Sequence, residues 1–250
     1  MPKFSIAGIA TLAGVAALAA PAHGQKPENI TDTPPNLTTF TVEASVTPNR
    51  SGTPKNPLPI MLRMSGRAVT EPGYEKPILQ GGYALFPRHG NYNGNDFPRC
   101  KRRLLNLYGT ERCPKGSRIG SGTGVAYADE VVTRPRIEIF NAGSKLALFY
   151  VTLYRPALVR EAIPVRIQEF PRGKWKYKAS FSVPEVLQVV AGIPIAAGSL
   201  ELKIGRGNLI ESTSCPKSRR WPYEVRGHFS NGSDYTYRDA VPCKPPLPGR

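Results

Sequence analysis

Apolar and polar residues alternate with a period of two along much of this chain, which is the spacing of a strand with one buried face. Phe40, Val42, Ala44 and Val46 alternate with Thr39, Thr41, Glu43 and Ser45, predicting a strand over 38–46. Leu58, Ile60, Leu62 and Met64 repeat the pattern, with Arg63 on the other side. Further strands are expected at 78–86, kinked at Gly81-Gly82, and at 117–127, 136–141, 145–154 and 158–169. Within 146–153 both alternating sets are largely apolar, so this strand should be covered on two faces. The run Lys174-Trp175-Lys176-Tyr177-Lys178 leads into Phe181 and Val183, and Leu200, Leu202 and Ile204 form another strand. A strand at 223–229 joins a short partner at 236–238 through Asn231-Gly232, a favoured hairpin turn. Leu104, Leu105 and Leu107 fit one turn of helix.

The punctuation agrees with this reading. The chain holds 26 prolines and 24 glycines, which bound short strands and disfavour long helices. Ten or so short strands with turn signals between them predict an all-β fold, specifically a two-sheet antiparallel sandwich. It would be Ig-like or jelly-roll-like, with short turns and one or two helical turns. A single domain is expected over 38–243, followed by a Pro-rich tail at 244–250. Gly120-Ser121-Gly122-Thr123-Gly124 lacks the Lys-Ser/Thr of a phosphate-binding loop and runs into Val125 and Tyr127, so it reads as a bulged or edge strand whose glycines allow close packing.

The first residues indicate export. Lys3 precedes an uncharged run over 4–20, Pro21 breaks it, and small residues follow at Ala22 and Gly24, the order of a cleavable signal peptide. Residues 1–24 are read as that peptide, with cleavage near Gly24 or Ala22, and 25–37 as a flexible leader. The run is short for a bilayer span, which takes about 20 apolar residues. After cleavage no integral membrane span is expected. Four cysteines in an exported chain favour two disulfides. Of three pairings, the local one, Cys100 with Cys113 and Cys215 with Cys243, is preferred. Neither Cys-x-x-Cys nor a His in zinc spacing is present, so no metal is expected.

Charge is the most unusual bulk property. The chain carries 34 Lys and Arg against 18 Asp and Glu, a net charge of +16, and such a surface attracts polyanions. The candidate contacts are Lys101, Arg102 and Arg103, then Lys174, Lys176 and Lys178, and Arg219 with Arg220. On a regular strand the three lysines of 174–178 would face away from Trp175 and Tyr177, separating cations from rings. Catalytic residues are not evident. Of the three histidines, His89 and His228 lie beyond the signal segment, and neither adjoins a nucleophile motif. Asp129 and Glu130 are neighbours, and neighbours on a strand point to opposite faces.

Cys113-Pro114-Lys115-Gly116-Ser117-Arg118-Ile119-Gly120-Ser121-Gly122 resembles the Cys-Pro-x-x-Ser-x-x-Gly-x-Gly element of a group of uncharacterised exported actinobacterial proteins. Pro98 and Cys100 upstream and a second Cys-Pro at Cys215-Pro216 extend the resemblance, which covers roughly 38–243. It implies an exported β-sandwich and assigns no chemistry, cofactor or site residue. The combined expectation is a secreted or envelope-associated, non-enzymatic binding or structural domain that needs no cofactor. Its basic surface would contact an anionic envelope polymer or lipid surface. The alternative is a secreted hydrolase acting on envelope polymers. Exported protein should begin near Gln25, and an intact mass that still includes Met1 would contradict cleavage.

Overall fold

The computed structural model describes the backbone of residues 29–31 and all of 38–247. The signal segment 1–24 and the rest of the expected leader lie outside the described residues. The strands are β1 (Asn29–Thr31), β2 (Thr38–Thr47), β3 (Leu58–Pro59), β4 (Met61–Thr70), β5 (Leu79–Pro87) and β6 (Gly90–Tyr92). Helix α1 (Arg102–Tyr108) follows, then β7 (Arg118–Ala128), β8 (Val131–Thr133), β9 (Arg136–Asn141), β10 (Leu146–Leu153), β11 (Val159–Glu169) and β12 (Trp175–Ser182). Helix α2 (Glu185–Gln188) precedes β13 (Val189–Val190), β14 (Ile193–Ile204), β15 (Ile210–Ser212), β16 (Arg220–Phe229) and β17 (Asp234–Pro242). No helix among the described residues is long and apolar enough to cross a membrane.

The fold is antiparallel and β-rich, as the alternation implies, but hydrogen bonds join its long strands into one sheet. The order is β1-β17-β16-β5-β12-β11-β10-β9-β7-β14-β4-β2, with a separate small sheet β3-β15-β6. From β17 to β2 the sheet curls into a nearly closed barrel. At the seam, β2 packs against β16 and β17 through side chains: Val42, Tyr223, Tyr237 and Val241 form one buried cluster. The Tyr223 hydroxyl donates to the Val42 carbonyl across the seam at 3.1 Å. A sheet this wide twists and curls under its own strand geometry, so two independent facing sheets are not needed to bury both flanks.

Most of the barrel interior is a second cluster from β7, β9, β10, β11 and β14, including Ile119, Ile137, Ile139, Val151, Ile163 and Ile195. Strand β10 is covered twice, as expected. Ala147, Val151 and Leu153 belong to that interior cluster, while Leu148 and Tyr150 pack outward with Leu105 of α1. The expected helical turn is therefore the lid over the outer wall, and Gly109 ends it at φ +70, with its N–H on Leu105 O. The Gly-rich stretch lies in β7, which is central rather than at an edge, since β14 and β9 flank it. A Cβ at Gly122 would sit 2.4 Å from the Glu201 carbonyl oxygen, so this close approach requires glycine.

Both preferred disulfides are present, Cys100–Cys113 and Cys215–Cys243, with Cα separations of 5.1 and 5.9 Å. Two segments that flank the expected domain, in the leader and in the Pro-rich tail, contain paired residues. Residues 29–31 run antiparallel to β17. At the other terminus, Lys244 makes a parallel bridge to Arg50, and Arg50 donates to the Pro245 carbonyl at 3.0 Å.

Asn141 has no exposed surface and fastens the longest connection to the barrel. Its amide nitrogen donates to the carbonyls of Gly94, Phe97 and Pro98 at 2.9–3.0 Å. Its Oδ1 accepts from the Gly143 N–H at 3.1 Å and the Tyr92 hydroxyl at 3.3 Å. Burial pushes the Tyr92 phenol up to about 12, so it remains a donor at neutral pH. Each buried polar group left unpaired costs about 1–3 kcal/mol. Asn141→Ala should therefore lose at least about 3 kcal/mol in urea unfolding. A loss under about 1 kcal/mol would remove this amide as the fastening point.

Candidate polyanion-binding surface

The antiparallel order sends the connections to two opposite ends of the barrel, and their charges differ sharply. At one end start or finish the connections 48–60, 88–117, 142–145, 170–174, 205–219 and 243–247, with sixteen Lys and Arg against three Asp and Glu; Lys101, Arg102 and Arg103 of these ride on α1 up the wall, which leaves thirteen cations against three acids. The opposite end has 71–78, 129–135, 154–158, 183–192 and 230–233, with three Lys and Arg against five Asp and Glu. That second end instead exposes apolar side chains, among them Tyr74, Val131, Val132, Tyr154 and Leu158. The net charge of the chain is therefore concentrated, not spread.

The basic end is braced. Three of its connections supply β3, β15 and β6, which pair as the small sheet. Ser212 of β15 accepts from the Gly52 N–H and donates to the Arg50 carbonyl, at 3.3 and 3.2 Å. The Cys215–Cys243 bridge ties connection 205–219 to the chain after β17. His89 Nδ1 lies 2.7 Å from the Ser214 hydroxyl, and Trp221 Nε1 donates to the Ser214 carbonyl at 2.9 Å.

The eight candidate contacts divide into two groups. Lys174, Lys176, Arg219 and Arg220 lie at the basic end, where β12 starts, 205–219 ends and β16 starts. Lys178 is two residues further up β12, beside β5. Lys101, Arg102 and Arg103 open α1, which climbs the outer wall of β11; Arg102 pairs with Glu161 at 2.7 Å. Glu161 and Gln168, the residue opposite Lys178, are seven positions apart on β11, about 23 Å. That exceeds the Debye length of about 8 Å at physiological salt, so the helix cations act apart from the strand lysines.

The 174–178 run departs from the regular alternation expected for it. The register shifts between Trp175 and Tyr177, and each lysine covers a ring. Lys174 Nζ lies 4.9 Å from the Trp175 ring centre, Lys176 Nζ 5.2 Å from Tyr177, and Lys178 Nζ 4.3 Å from Tyr83 of the next strand. Lys176 also donates to the Asn91 Oδ1 at 2.7 Å and the Gly90 carbonyl at 3.2 Å, fastening β12 to the small sheet. Cation and ring thus share a face, and Lys176 contributes to bracing as well as to charge.

A groove not apparent from the sequence crosses the outer face of β2, β4, β14 and β7. Its volume is about 560 Å³, and its lining includes Glu43, Arg63, Ser65, Thr123, Glu201 and Lys203. It shares Ser121 and Lys203 with a smaller depression of about 270 Å³ that also holds Arg118 and Arg206, towards the basic end. The alternation already places these residues on polar strand faces. What it does not reveal is that four strands distant in sequence lie side by side.

Fold and surface define the class: a basic, disulfide-bonded, antiparallel β-barrel domain with its positive charge gathered at one end. No protein-family model matches the chain, and no curated protein matches it either.

His89 offers a direct probe of this end. Burial first, and then the neighbouring Arg88, hold its pKa below the ordinary 6.5. A histidine depressed in the folded state stabilises it fully above the unfolded pKa, and that contribution is lost as pH falls through the folded value. NMR titration should place His89 below 6.5, with Arg88→Ser raising it without restoring the ordinary value. A pKa at or above 6.5 in the unaltered protein would contradict this environment.

Proposed function

We propose that this protein is an exported, non-enzymatic binding domain that holds an anionic polymer of the cell envelope against the basic end of its barrel. One observation carries the reading: with the three α1 cations set aside, thirteen cationic against three acidic residues in the connections at that end, and three against five at the other. Scattered charges act separately beyond the Debye length, whereas charges gathered on one braced surface sum their attraction and release condensed counterions together. Among the described residues none of these thirteen is held in an ion pair; Arg220, at the start of β16 beside them, pairs with Asp239 at 3.4 Å. Export follows the N-terminal pattern and the resemblance to the exported actinobacterial group.

The test is a salt series of heparin and anionic-liposome binding by the mature chain. Affinity should fall steeply from low to moderate salt. Replacing Lys174, Arg219 and Arg220 by Ser should lower the slope of log affinity against log salt by about one for each cation removed. Replacing Lys101, Arg102 and Arg103 by Ser should have a smaller, additive effect. Replacing Arg134 and Arg155 at the opposite end should have none. The proposal is overturned by absence of binding at low salt, or by equal losses from variants at the two ends. Cleavage of the bound polymer would replace it with the hydrolase reading.

A further inference from the structure

We propose that the groove across β2, β4, β14 and β7 is a subsite for an anionic glycan, a chain in which charged and neutral hydroxyl-bearing sugar units alternate. The inference rests on the polyanion reading above and names the ligand class and one place where it is held.

The ladder registers arrange the groove in rows. Ser45 pairs with Arg63, Arg63 with Lys203, and Lys203 with Ser121, forming one row across four strands. The next row, two residues along, is Glu43, Ser65, Glu201 and Thr123. Beyond the first row, towards the basic end, the adjoining depression adds Arg118 and Arg206. Arg118 is partly engaged, since it lies 3.2 Å from Glu138. The groove therefore offers cations at its mouth and acceptors about 6.6 Å further in.

That alternation selects against a uniformly charged chain. A polymer with an anion on every unit would bring charge against Glu43 and Glu201, both exposed carboxylates on neighbouring walls. A ligand with an anion beside Arg63 and Lys203 and hydroxyl groups beside the two glutamates satisfies both rows. Carboxylates accept hydrogen bonds from hydroxyls, and Ser65, Ser121 and Thr123 can both donate and accept. No aromatic side chain lines either depression, so the groove lacks the stacking surface that single-stranded nucleic acid uses. Its volume is that of a small-ligand site, enough for a few sugar units rather than a whole polymer.

The experiment uses the mature chain and titration calorimetry with three probes: hyaluronan oligosaccharides (alternating glucuronate and neutral amino sugar), inorganic polyphosphate and single-stranded DNA. The variant Arg63→Ser with Lys203→Ser should weaken hyaluronan at least tenfold. Glu43→Gln with Glu201→Gln should weaken hyaluronan severalfold and tighten polyphosphate. All four side chains are exposed, and unchanged thermal melting confirms that the fold is retained. If the glutamine pair tightens hyaluronan as it does polyphosphate, the groove reads charge alone and the inference is overturned. It is also overturned if DNA binding depends on the groove as strongly as hyaluronan binding does. If Arg219→Ser with Arg220→Ser weakens all three probes while the groove variants change none, the groove inference falls and the basic-end proposal stands. If no probe binds the unaltered chain, both fall.

Discussion

One buried amide holds the largest excursion of this chain in place. Connection 88–117 leaves β5, forms β6, climbs the wall as α1 and returns to β7. It carries seven Lys and Arg, which repel one another and give it little reason to lie against the barrel. Asn141 supplies the reason. Three carbonyls within five residues, Gly94 to Pro98, converge on one side-chain NH₂. Two hydrogens serve three acceptors, so one bond is shared, and no other side chain of that size combines this donor with an acceptor for Gly143. Next to it, the Cys100 N–H bonds to the Asn141 carbonyl at 2.8 Å, which places the first disulfide. Loss of the amide would free the segment that sets both the position of α1 and the path of the basic loop.

The walls and the basic end follow different electrostatic rules. On the walls, acids meet bases. Glu138 faces Arg118 and Arg136, Glu224 accepts from Arg238 at 2.7 Å, and Asp234 sits between Arg226 and His228. The Arg226 hydrogen bond, with a further one from His228, holds the Asp234 carboxyl below its ordinary pKa. In these pairs the carboxylates are largely covered and the cations partly or well exposed, so that charge is cancelled where the strands lie. At the basic end cancellation is sparse, with Arg220 paired to Asp239 at 3.4 Å, and mutual repulsion opposes compactness. The opposing terms are covalent and polar: the Cys215–Cys243 bridge, the Ser212 hydrogen bonds and the Lys176 contacts to β6. A surface held together against its own charge is stabilised further by any polyanion that binds it.

Strand existence was legible in the sequence because period-two alternation reports one buried face directly. Residues 136–141 form a strand with those bounds, 117–127 is displaced by a single residue, and 158–169 starts one residue later than expected and ends where expected. Pairing order was not legible. β5 lies between β12 and β16, and β14 between β7 and β4, and neither follows from local pattern. Strands β3, β6, β8, β13 and β15 have two or three residues each, too few to show a period. The first half of β14, Ile193 to Gly198, lacks polar alternation because its residues are small or apolar on both sides. For the candidate surface, the clusters at 174–178 and 219–220 could be seen as charge runs. Their placement with Arg50, Arg99 and Arg206 at one end required the antiparallel order of the whole sheet.

The groove can be traced to β7. Its glycines at 120, 122 and 124 replace side chains where the chain meets β14, and a Cβ at each would fall 2.4–2.5 Å from a β14 carbonyl oxygen. Bulges in both strands, between Arg118 and Gly120 and between Ala197 and Ser199, increase the local twist. On the outer side the intervening residues are Ser121 and Thr123, which are short. The wall is thus thin on both faces along β7, while β14 and β4 next to it carry the long side chains of Glu201, Lys203 and Arg63. A thin strand beside long charged ones leaves a trough with charged walls. The alternation of small residues that looks like a phosphate loop in sequence therefore acts as a floor, and the selectivity lies in the neighbouring strands that the fold brings alongside it.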